Sequence, residues 1–556
     1  MPSREFILQI LAAEGVPLSL EKLMDVFEIG AGESALFQRR LRAMEQDGQI
    51  MRNRKGAICV VDKLDLIKGR VQGHADGFGF LVRDQGGPDL FIGAGEMHKV
   101  LHGDRVMARE IGVDRRGRPE AKIVEVLTRA NQRVVGRLYD EHGILFVVPE
   151  DKRISQDILI AQGESRDAGA GQVVMVEIIE QPSKHAQPIG RVVEVLGNYA
   201  DPGMEIEIAL RKHDLPHAFS PQAEKLSARF SSQVEPRDHA GRQDLRHLPL
   251  LTIDGETAKD FDDAVYCEAR PGAFKLFVAI ADVSHYVRSG DALDQEAQAR
   301  GNSVYFPRRV IPMLPEVLSN GLCSLNPGVD RLAMVCEMEI DSDGEIENYR
   351  FYPALFRSHA RLTYTQVWDM LEHSQGESAR SKLLPQLQAL YKLYKVLAKA
   401  RAKRGAIDFE TIETQMLFNQ QGKIERIVPV KRNDAHRLIE ECMLAANVCA
   451  SDFLQRHKQK TLYRVHEGPT PEKLEALRGF LKEFGLALGG GEHPHAKDYA
   501  KLLLQIRNRP DAQLLQTSML RSLQQAMYSP DNVGHFGLAY ESYTHFTSPI
   551  RRYPDL

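Results

Sequence analysis

The chain has 556 residues, too many for one hydrophobic core, so we expect about three to five domains. With 43% hydrophobic and 27% charged residues it has the composition of an ordinary globular protein, and no apolar stretch is long enough to cross a membrane. The net charge of −4 excludes nucleic-acid binding through a global positive field, so any such binding must use local basic patches. The six cysteines form no CxxC pair and the N-terminus is not a signal peptide, which indicates reduced thiols in a cytoplasmic protein.

Residues 1–66 predict a winged-helix domain. Apolar residues with helical spacing mark successive helices around Ile10, Leu23 and Leu41, and a short hairpin follows. The third of these helices also carries a group of arginines: Arg39, Arg40 and Arg42. Two interpretations stay open, a module that binds nucleic acid or a partner and a structural domain with a solvated basic helix, because fold similarity alone does not decide function.

Residues 67–128 change to strand patterning and predict an OB-fold barrel of the cold-shock type. The segment GFGF contains Phe78 and Phe80, and the segment DLFI contains Phe91. Exposed aromatic rings on neighbouring strands offer flat faces on which RNA bases can stack, so we favour RNA binding by these three residues. Because Phe78 and Phe80 are two positions apart they share one face, but spacing does not tell whether that face is the core or the surface.

Residues 129–200 repeat this strand character more weakly and predict a second OB barrel, in which no aromatic pair indicates a binding role. From residue 201 to residue 556 the pattern is that of one large α/β-like unit. The predicted fold class is therefore multidomain α+β, with a winged-helix domain, two cold-shock-like OB barrels and a large α/β domain.

The segment 252–267, TIDGETAKDFDDAVYC, places four aspartates in one short stretch, residues 254–263, which we call the acidic loop. They are Asp254, Asp260, Asp262 and Asp263. Like charges this close are tolerable only in water or around cations, and oxygen ligands without Cys or His suit magnesium or manganese. A calcium loop of the EF-hand type is excluded, because its sixth position needs Gly and here is Lys259. A solvated acidic turn stays open, although such a turn would not need Phe261 amid the carboxylates.

Together with other segments, the acidic loop resembles the RNB family of exoribonucleases. The matching segments follow one another in the family's order, at 247–267, 278–287, 301–327, 432–447 and 535–556. The N-terminal order of a winged helix and two cold-shock domains also matches, so the resemblance covers essentially the whole chain. Long motifs in the correct order are far more specific than a lone acidic loop. Residues 201–556 would then be the RNB catalytic domain.

The resemblance implies processive 3′-to-5′ hydrolysis of single-stranded RNA with magnesium, releasing nucleoside 5′-monophosphates. It implies that the four aspartates bind the metal and that Asp262 is the one whose loss is least tolerated. Arg551, in SPIRRYPDL, would neutralise charge on the scissile phosphate. Tyr305 would stack on the 3′-terminal nucleotide, and Tyr364 and Glu441 would line the RNA path. Each of these three could instead be a core residue.

The competing function is a non-catalytic RNA-binding or chaperone protein. It is suggested by the last residue, Leu556, which directly follows the SPIRRYPDL motif where family members continue with a third OB-type domain. Arg551 lies close to that end, so we expect it to fray. The four intact aspartates favour the enzyme, because a pure binder has no chemical need for mutually repelling carboxylates. A winged-helix DNA regulator would explain the first domain alone. The expected partner is single-stranded RNA and the expected state a monomer, and no residue pattern singles out a ribosome or RNA-decay partner.

Overall fold

The computed structural model describes residues 2–14, 17–27, 29–30, 32–47, 49–52, 56–60, 66–114, 116–373, 381–410, 412–430 and 432–556. The chain divides into two compact units, Met1–Leu215 and Pro216–Leu556. Within the described residues, no helix combines the length and the apolar character needed to cross a membrane.

The first unit begins with the predicted order of helices and a hairpin. The elements are α1 (Arg4–Glu14), α2 (Leu20–Val26), α3 (Ser34–Gln46), β1 (Ile50–Arg52) and β2 (Ile58–Val60). Ser19 caps α2, since its hydroxyl accepts a hydrogen bond from the Lys22 amide at 3.3 Å. Ile7, Phe37 and Leu41 are fully buried where the helices meet the antiparallel hairpin, which is the winged-helix arrangement.

A closed barrel follows, as the OB-fold prediction requires. It consists of β3 (Leu66–Gly73), β4 (Gly79–Arg83), β5 (Leu90–Ile92), the short α4 (Ala94–Met97), β6 (Arg105–Val113) and β7 (Pro119–Thr128), in the strand order β3-β4-β5-β7-β6. The glycines of the GFGF segment serve the fold itself. Gly77 turns the chain with a φ of 84°, and a Cβ at Gly79 would lie 2.6 Å from the sulfur of Met97.

A second closed barrel confirms the other OB prediction. Its strands are β8 (Arg133–Glu141), β9 (Ile144–Pro149), β10 (Ile158–Ile160), β11 (Gln172–Glu180) and β12 (Ile189–Asn198), in the order β10-β12-β11-β8-β9. Helix α5 (Met204–Lys212) packs on this barrel, because Met204 is buried with Val135, Val173 and Met175. The residues just after 200 therefore belong with the second barrel, and the compact unit ends only at Leu215.

The second unit is built on one mixed sheet. Its elements up to the end of the sheet are α6 (Pro221–Ser227), β13 (Gln243–Asp244), β14 (Leu251–Asp254), β15 (Asp263–Arg270), β16 (Ala273–Ala281), α7 (Ala292–Arg300), β17 (Val304–Phe306), β18 (Arg309–Ile311), β19 (Asp330–Asp341), β20 (Ile346–Arg357) and β21 (Ala360–Thr363). In the described residues the main sheet has the order β13-β20-β19-β16-β15-β14-β21, and β17 pairs with β18 in a separate hairpin.

Helices and two small hairpins complete the unit. They are α8 (Tyr364–His373), α9 (Leu384–Arg404), β22 (Thr414–Phe418), β23 (Ile424–Pro429), α10 (Asp434–Arg456), β24 (Tyr463–Val465), α11 (Pro471–Glu483), α12 (Ala496–Ile506), α13 (Ala512–Ser522) and β25 (Met527–Ser529). Asn433 starts α10 by accepting hydrogen bonds from the amides of Ala435 and His436. One face of the sheet is buried under α8, α9 and α10, and the other face carries a separate apolar core that includes Phe277 and Leu314.

Sheet topology brings three strand ends together. Strand β14 runs parallel to β21, so that Asp254 pairs with Thr363, and antiparallel to β15, which begins at Asp263. The end of β14, the end of β21 and the start of β15 therefore lie at one edge of the sheet. The acidic loop emerges at this edge, beside the first turn of α8.

Candidate active site

The four aspartates lie on one loop at the sheet edge, held by two strands. Asp254 is the last residue of β14 and Asp263 the first of β15, while Asp260 and Asp262 lie in the connection between them. Asp262 is only 4% exposed, and its backbone carbonyl accepts a hydrogen bond from the Ala281 amide on β16 at 2.8 Å. The strands thus fix both ends of the loop.

Two residues outside the loop determine its shape. The Ser324 hydroxyl donates to the carbonyl of Lys259 at 2.7 Å and accepts from the amide of Phe261 at 3.1 Å. Arg361 donates to the carbonyl of Glu256 at 2.8 Å, and its guanidinium lies 5.0 Å from the centre of the Phe261 ring. Phe261 is buried and anchors the loop to the core, which excludes a simple solvated turn.

Sequence reasoning missed Ser324 and Arg361. Both lie in segments that carried the family resemblance or adjoined it, LCSLNP and ARLTYTQVW. The only available signal was that both residues lie in or beside these family-like segments. Nothing in the acidic loop itself indicates which distant side chains hydrogen-bond to its carbonyls.

Three of the carboxylates each accept a hydrogen bond on one oxygen. The Gly255 amide donates to Asp254 Oδ1 at 2.7 Å, the Tyr305 hydroxyl to Asp260 Oδ2 at 2.5 Å, and the Ile550 amide to Asp262 Oδ1 at 2.8 Å. In contrast, the Oδ2 atoms of Asp262 and Asp263 are buried and have no hydrogen-bond partner among the described residues. Buried carboxylate oxygens without a donor are unusual and call for a cation or a proton.

The pKa shifts of the aspartates also indicate that the loop needs a cation or a proton. Burial raises the pKa of Asp262 well above its ordinary value, and it also raises the pKa of Asp254. Burial, together with the nearby charge of Asp254, raises the pKa of Asp263 to about 7. The Arg551 guanidinium opposes these shifts but does not cancel them. Without a further positive charge, these carboxyl groups hold protons more tightly than ordinary aspartates.

The donor set fits a hard divalent ion that also binds a substrate. In the described part of the chain, no group of three or more His, Cys, Asp or Glu side chains is arranged to enclose a metal ion. Asp260 is turned towards Tyr305 and Asp262 towards the Ile550 amide, so the four predicted ligands do not form a closed cage. Magnesium is usually held by one or two carboxylates, and phosphate oxygens and water complete its octahedron. The Oδ2 atoms of Asp262 and Asp263, which accept no hydrogen bond among the described residues, suit that role.

Arg551 faces the acidic loop. Its Nε lies 3.2 Å from Asp262 Oδ2, and its Nη2 donates to the Ser548 hydroxyl at 2.8 Å. Its carbonyl accepts a hydrogen bond from the Ser303 amide at 3.0 Å, and the preceding Ile550 is fully buried. The expectation that Arg551 frays is therefore wrong, because the hydrogen bond to its carbonyl and the burial of Ile550 hold its segment in place.

The next arginine has a different environment. Arg552 donates to Asp555 Oδ2 at 2.7 Å, and the same oxygen accepts from the Ser548 amide at 2.9 Å. Arg552 thus stabilises the turn that presents Arg551.

The other predicted residues differ in exposure and in their contacts with the acidic loop. Tyr305, on β17, is 52% exposed and touches Asp260, so it is not a core residue. Tyr364 is stacked on His436 with ring centres 4.0 Å apart, and burial together with the charges of Asp254 and Asp263 raises its pKa. Tyr364 therefore borders the acidic loop and is largely packed at the same time.

Glu441 lies in a different environment from the acidic loop. It is buried on α10 and accepts a hydrogen bond from Arg401 at 2.9 Å, and none of its described hydrogen bonds reaches the loop. Together with Arg401, Arg437 and Arg507 it lines a cavity of about 490 Å³. The family resemblance implied that Glu441 lines the RNA path, which stays a prediction. The contacts of Glu441 described here are those of a charge paired with Arg401 in this cavity.

The aromatic residues of the first barrel lie on its surface. The barrel core is made of residues such as Leu81, Leu90 and Ile92, and the alternating positions point outwards. Phe78, Phe80 and Phe91 are half-buried and gather in one cluster, with ring centres 5.7–6.0 Å apart. Arg118 lies over the Phe91 ring at 4.1 Å. Aromatic faces beside a guanidinium form a surface suited to stacking of single-stranded bases.

The second barrel also has an outward aromatic pair, which sequence reasoning missed. Tyr139 on β8 pairs with Phe146 on β9, and their rings stack with centres 5.8 Å apart. Arg137 lies near the rings of Tyr139 and Tyr199, which are 37% and 46% exposed. The residues of the pair are seven positions apart in sequence, and only strand register brings them together.

Family models match most of the chain. Residues 242–556 match the RNB domain, residues 69–126 the Ribonuclease B OB domain and residues 146–220 the cold shock domain. Ribonuclease R of Escherichia coli (strain K12) is 51% identical over 100% of this chain and 69% of that protein. Ribonuclease R of Vibrio cholerae is 50% identical over 100% of this chain and 68% of that protein.

Solved structures agree with these matches. A structure of Mycoplasma genitalium RNase R in complex with ribose-methylated single-stranded RNA is similar with a TM-score of 0.82 and 29% identity, over 88% of this chain and 78% of that one. Yeast Ssd1, a pseudonuclease, shares the fold with a TM-score of 0.63 at 18% identity, over 89% of this chain and 68% of that one. Because the fold also occurs in a pseudonuclease, the carboxylates and Arg551 matter for the assignment. The chain belongs to the RNB family, as a hydrolytic 3′-to-5′ exoribonuclease.

Proposed function

We propose that the acidic loop is the hydrolytic centre and that it uses magnesium, or alternatively manganese, to cleave single-stranded RNA from its 3′ end. The observation that carries this proposal is that buried carboxylate oxygens which accept no hydrogen bond lie beside a guanidinium and an exposed aromatic ring within one small site. Asp254, Asp260, Asp262 and Asp263 are the proposed metal ligands. A divalent ion held by them supplies Lewis-acid stabilisation of phosphate oxygens.

The surrounding residues orient the RNA. Arg551 binds the scissile phosphate, since a guanidinium can donate two hydrogen bonds to phosphate oxygens and offset charge that grows in the transition state. Its contact with Asp262 keeps it at the site before RNA arrives. Tyr305 receives the 3′-terminal base on its exposed face, and Tyr364 borders the path of the preceding nucleotides. Glu441 is the weakest member of the proposal, because its charge is already paired with Arg401.

The first barrel captures the RNA. Phe78, Phe80 and Phe91 offer a stacking surface, and each stacked base contributes about 1–3 kcal/mol regardless of sequence. We further propose that the protein acts as a monomer in the cytoplasm. The free, buried state of all six cysteines supports a reducing compartment.

One experiment tests the centre directly. The purified chain is incubated with 5′-labelled single-stranded RNA with and without magnesium, and the products are separated as a ladder. We expect stepwise shortening that requires magnesium in the parent and collapses in Asp262→Asn, while RNA binding persists. Asp343→Asn, on an exposed turn, is the matched control and should cleave like the parent. Equal cleavage by Asp262→Asn and the parent would show that the centre lies elsewhere.

A further inference from the structure

We infer that the hydroxyl of Tyr305 is a positioning group for Asp260. The same side chain would then both stack on the 3′-terminal base and hold a carboxylate of the metal site. The inference rests on the proposed function and adds to it a role for the hydroxyl that is separate from the stacking role of the ring.

The contact is short and specific. The Tyr305 hydroxyl donates to Asp260 Oδ2 at 2.5 Å, while the side chain as a whole is 52% exposed. Among the described residues, this hydroxyl is the one donor that hydrogen-bonds the Asp260 carboxylate. Asp254 and Asp262 differ, because backbone amides of their own loop and of the C-terminal segment hold them. Asp260 therefore depends on a side chain from a separate hairpin.

That hairpin is tied to the segment that carries Arg551. The Ser303 amide donates to the Arg551 carbonyl at 3.0 Å, and the Ser303 hydroxyl accepts from the Met313 amide at 2.9 Å. Asn302 also forms an isolated β-bridge with Arg552. A shift of β17 would therefore move the ring of Tyr305, its bond to Asp260 and the backbone of Arg551 together.

The chemistry suits a positioning donor. The phenol holds one carboxylate oxygen and leaves the other available to a cation, as hydrogen-bond partners of metal ligands commonly do. A phenol ordinarily loses its proton only at about pH 10, so at neutral pH the hydroxyl is a donor and the carboxylate its acceptor. When a base stacks on the Tyr305 ring, the ring loses conformational freedom. Because the hydroxyl is hydrogen-bonded to Asp260, the Asp260 carboxylate is then held more rigidly as well. Binding of the 3′-terminal base against Tyr305 would thus complete the metal site.

Two substitutions separate the hydroxyl from the ring. Tyr305→Phe removes the donor and keeps the stacking face, whereas Tyr305→Ala removes both. Tyr349→Phe is the matched control, because the Tyr349 hydroxyl donates to Asp452 Oδ2 at the same 2.5 Å between β20 and α10. Two quantities are measured on the full chain: the affinity for Mn²⁺ without RNA, from the electron paramagnetic resonance signal of free Mn²⁺, and the limit product of 5′-labelled RNA at saturating magnesium.

We expect Tyr305→Phe to weaken Mn²⁺ binding by about 10-fold or more, the usual effect of losing such a partner, with the limit product unchanged. Tyr305→Ala should weaken Mn²⁺ binding and also lengthen the limit product, and Tyr349→Phe should change neither. In an Asp260→Asn background, Tyr305→Phe should have no further effect on Mn²⁺ affinity, because the hydroxyl acts through Asp260.

Parent-like Mn²⁺ affinity in Tyr305→Phe would overturn the inference, and so would an additive effect of the two substitutions. Failure of the proposed function is distinguishable: the parent would then bind no Mn²⁺, or would bind it equally well as Asp262→Asn. The unfolding curve of Tyr305→Phe, followed by the fluorescence of Trp368, verifies that the catalytic unit remains folded.

Discussion

Replacement of Asp263 by Asn should stabilise the metal-free protein at neutral and alkaline pH. Asp263 Oδ2 is buried without a hydrogen-bond partner, and burial together with Asp254 raises the pKa of the carboxyl from 3.8 to about 7. The folded state therefore binds this proton more tightly than the unfolded state. Folding is not penalised below about pH 4, where both states are protonated, and it is progressively penalised as pH rises towards 7.

The size of the effect follows from that pKa. A difference of about three pH units between the folded and unfolded states corresponds to about 4 kcal/mol, reached once the pH exceeds the folded pKa. Between these limits the free energy of unfolding should fall by about 1.4 kcal/mol per pH unit. Asn has similar size and no charge, so Asp263→Asn should remove the contribution of Asp263 to this slope, while those of Asp254 and Asp262 remain. The variant should exceed the parent by up to about 4 kcal/mol near pH 8.

The assay can be confined to the unit that contains the site. The chain has a single tryptophan, Trp368, which lies on α8 a short distance after Tyr364. Urea unfolding followed by its fluorescence, in a chelating buffer at about pH 4 and about pH 8, gives the free energy of unfolding of the catalytic unit. Asp343→Asn, on an exposed turn, is the control and should follow the parent at both values. Added magnesium should stabilise the parent more than Asp263→Asn near pH 8.

A parent whose stability does not fall between these pH values would refute the reasoning. So would Asp263→Asn if it retained the slope of the parent, since the penalty would then come from other groups. A lower stability of the variant near pH 8 would mean that the carboxylate is stabilised by contacts that Asn does not reproduce.

Three further outcomes are expected. Tyr305→Ala should continue to cleave but leave a limit product longer by a nucleotide or more, read from a sequencing gel, because the terminal base loses a stacking contact worth about 1–3 kcal/mol. Arg551→Lys should lower kcat with little change in RNA affinity, because an ammonium replaces a guanidinium that can donate two hydrogen bonds to one phosphate. Single-turnover rates measure the first effect and filter binding the second, and an equal loss of rate and affinity would contradict the prediction. Phe91→Ala should weaken RNA binding by about 1–3 kcal/mol without changing its dependence on salt, which a titration across a salt series checks, because no phosphate contact is removed.

Much of the architecture could be predicted because it depends on local patterns. Helical periodicity marked α1 to α3, and alternating residues marked the strands of both barrels, since burial of one face imposes a period on the sequence. The acidic loop was visible for a similar reason, because four like charges between apolar strands are unusual. Register was not visible, so the sequence showed no aromatic pair in the second barrel, where Tyr139 and Phe146 face each other.

The sequence by itself determined the order of domains, the acidic loop with its four aspartates and the RNB resemblance. The tertiary structure decided which distant groups complete the site. Ser324 and Arg361 shape the loop, the Ile550 amide holds Asp262, and Tyr305 reaches Asp260, although these residues are separated from the loop by up to 288 positions. Such contacts leave no local trace, because the two partners are distant in sequence and only folding brings them together. Arg551 shows the same limit, because its position near the end of the sequence suggested fraying. A hydrogen bond from the Ser303 amide to its carbonyl and the burial of the preceding Ile550 hold its backbone in place.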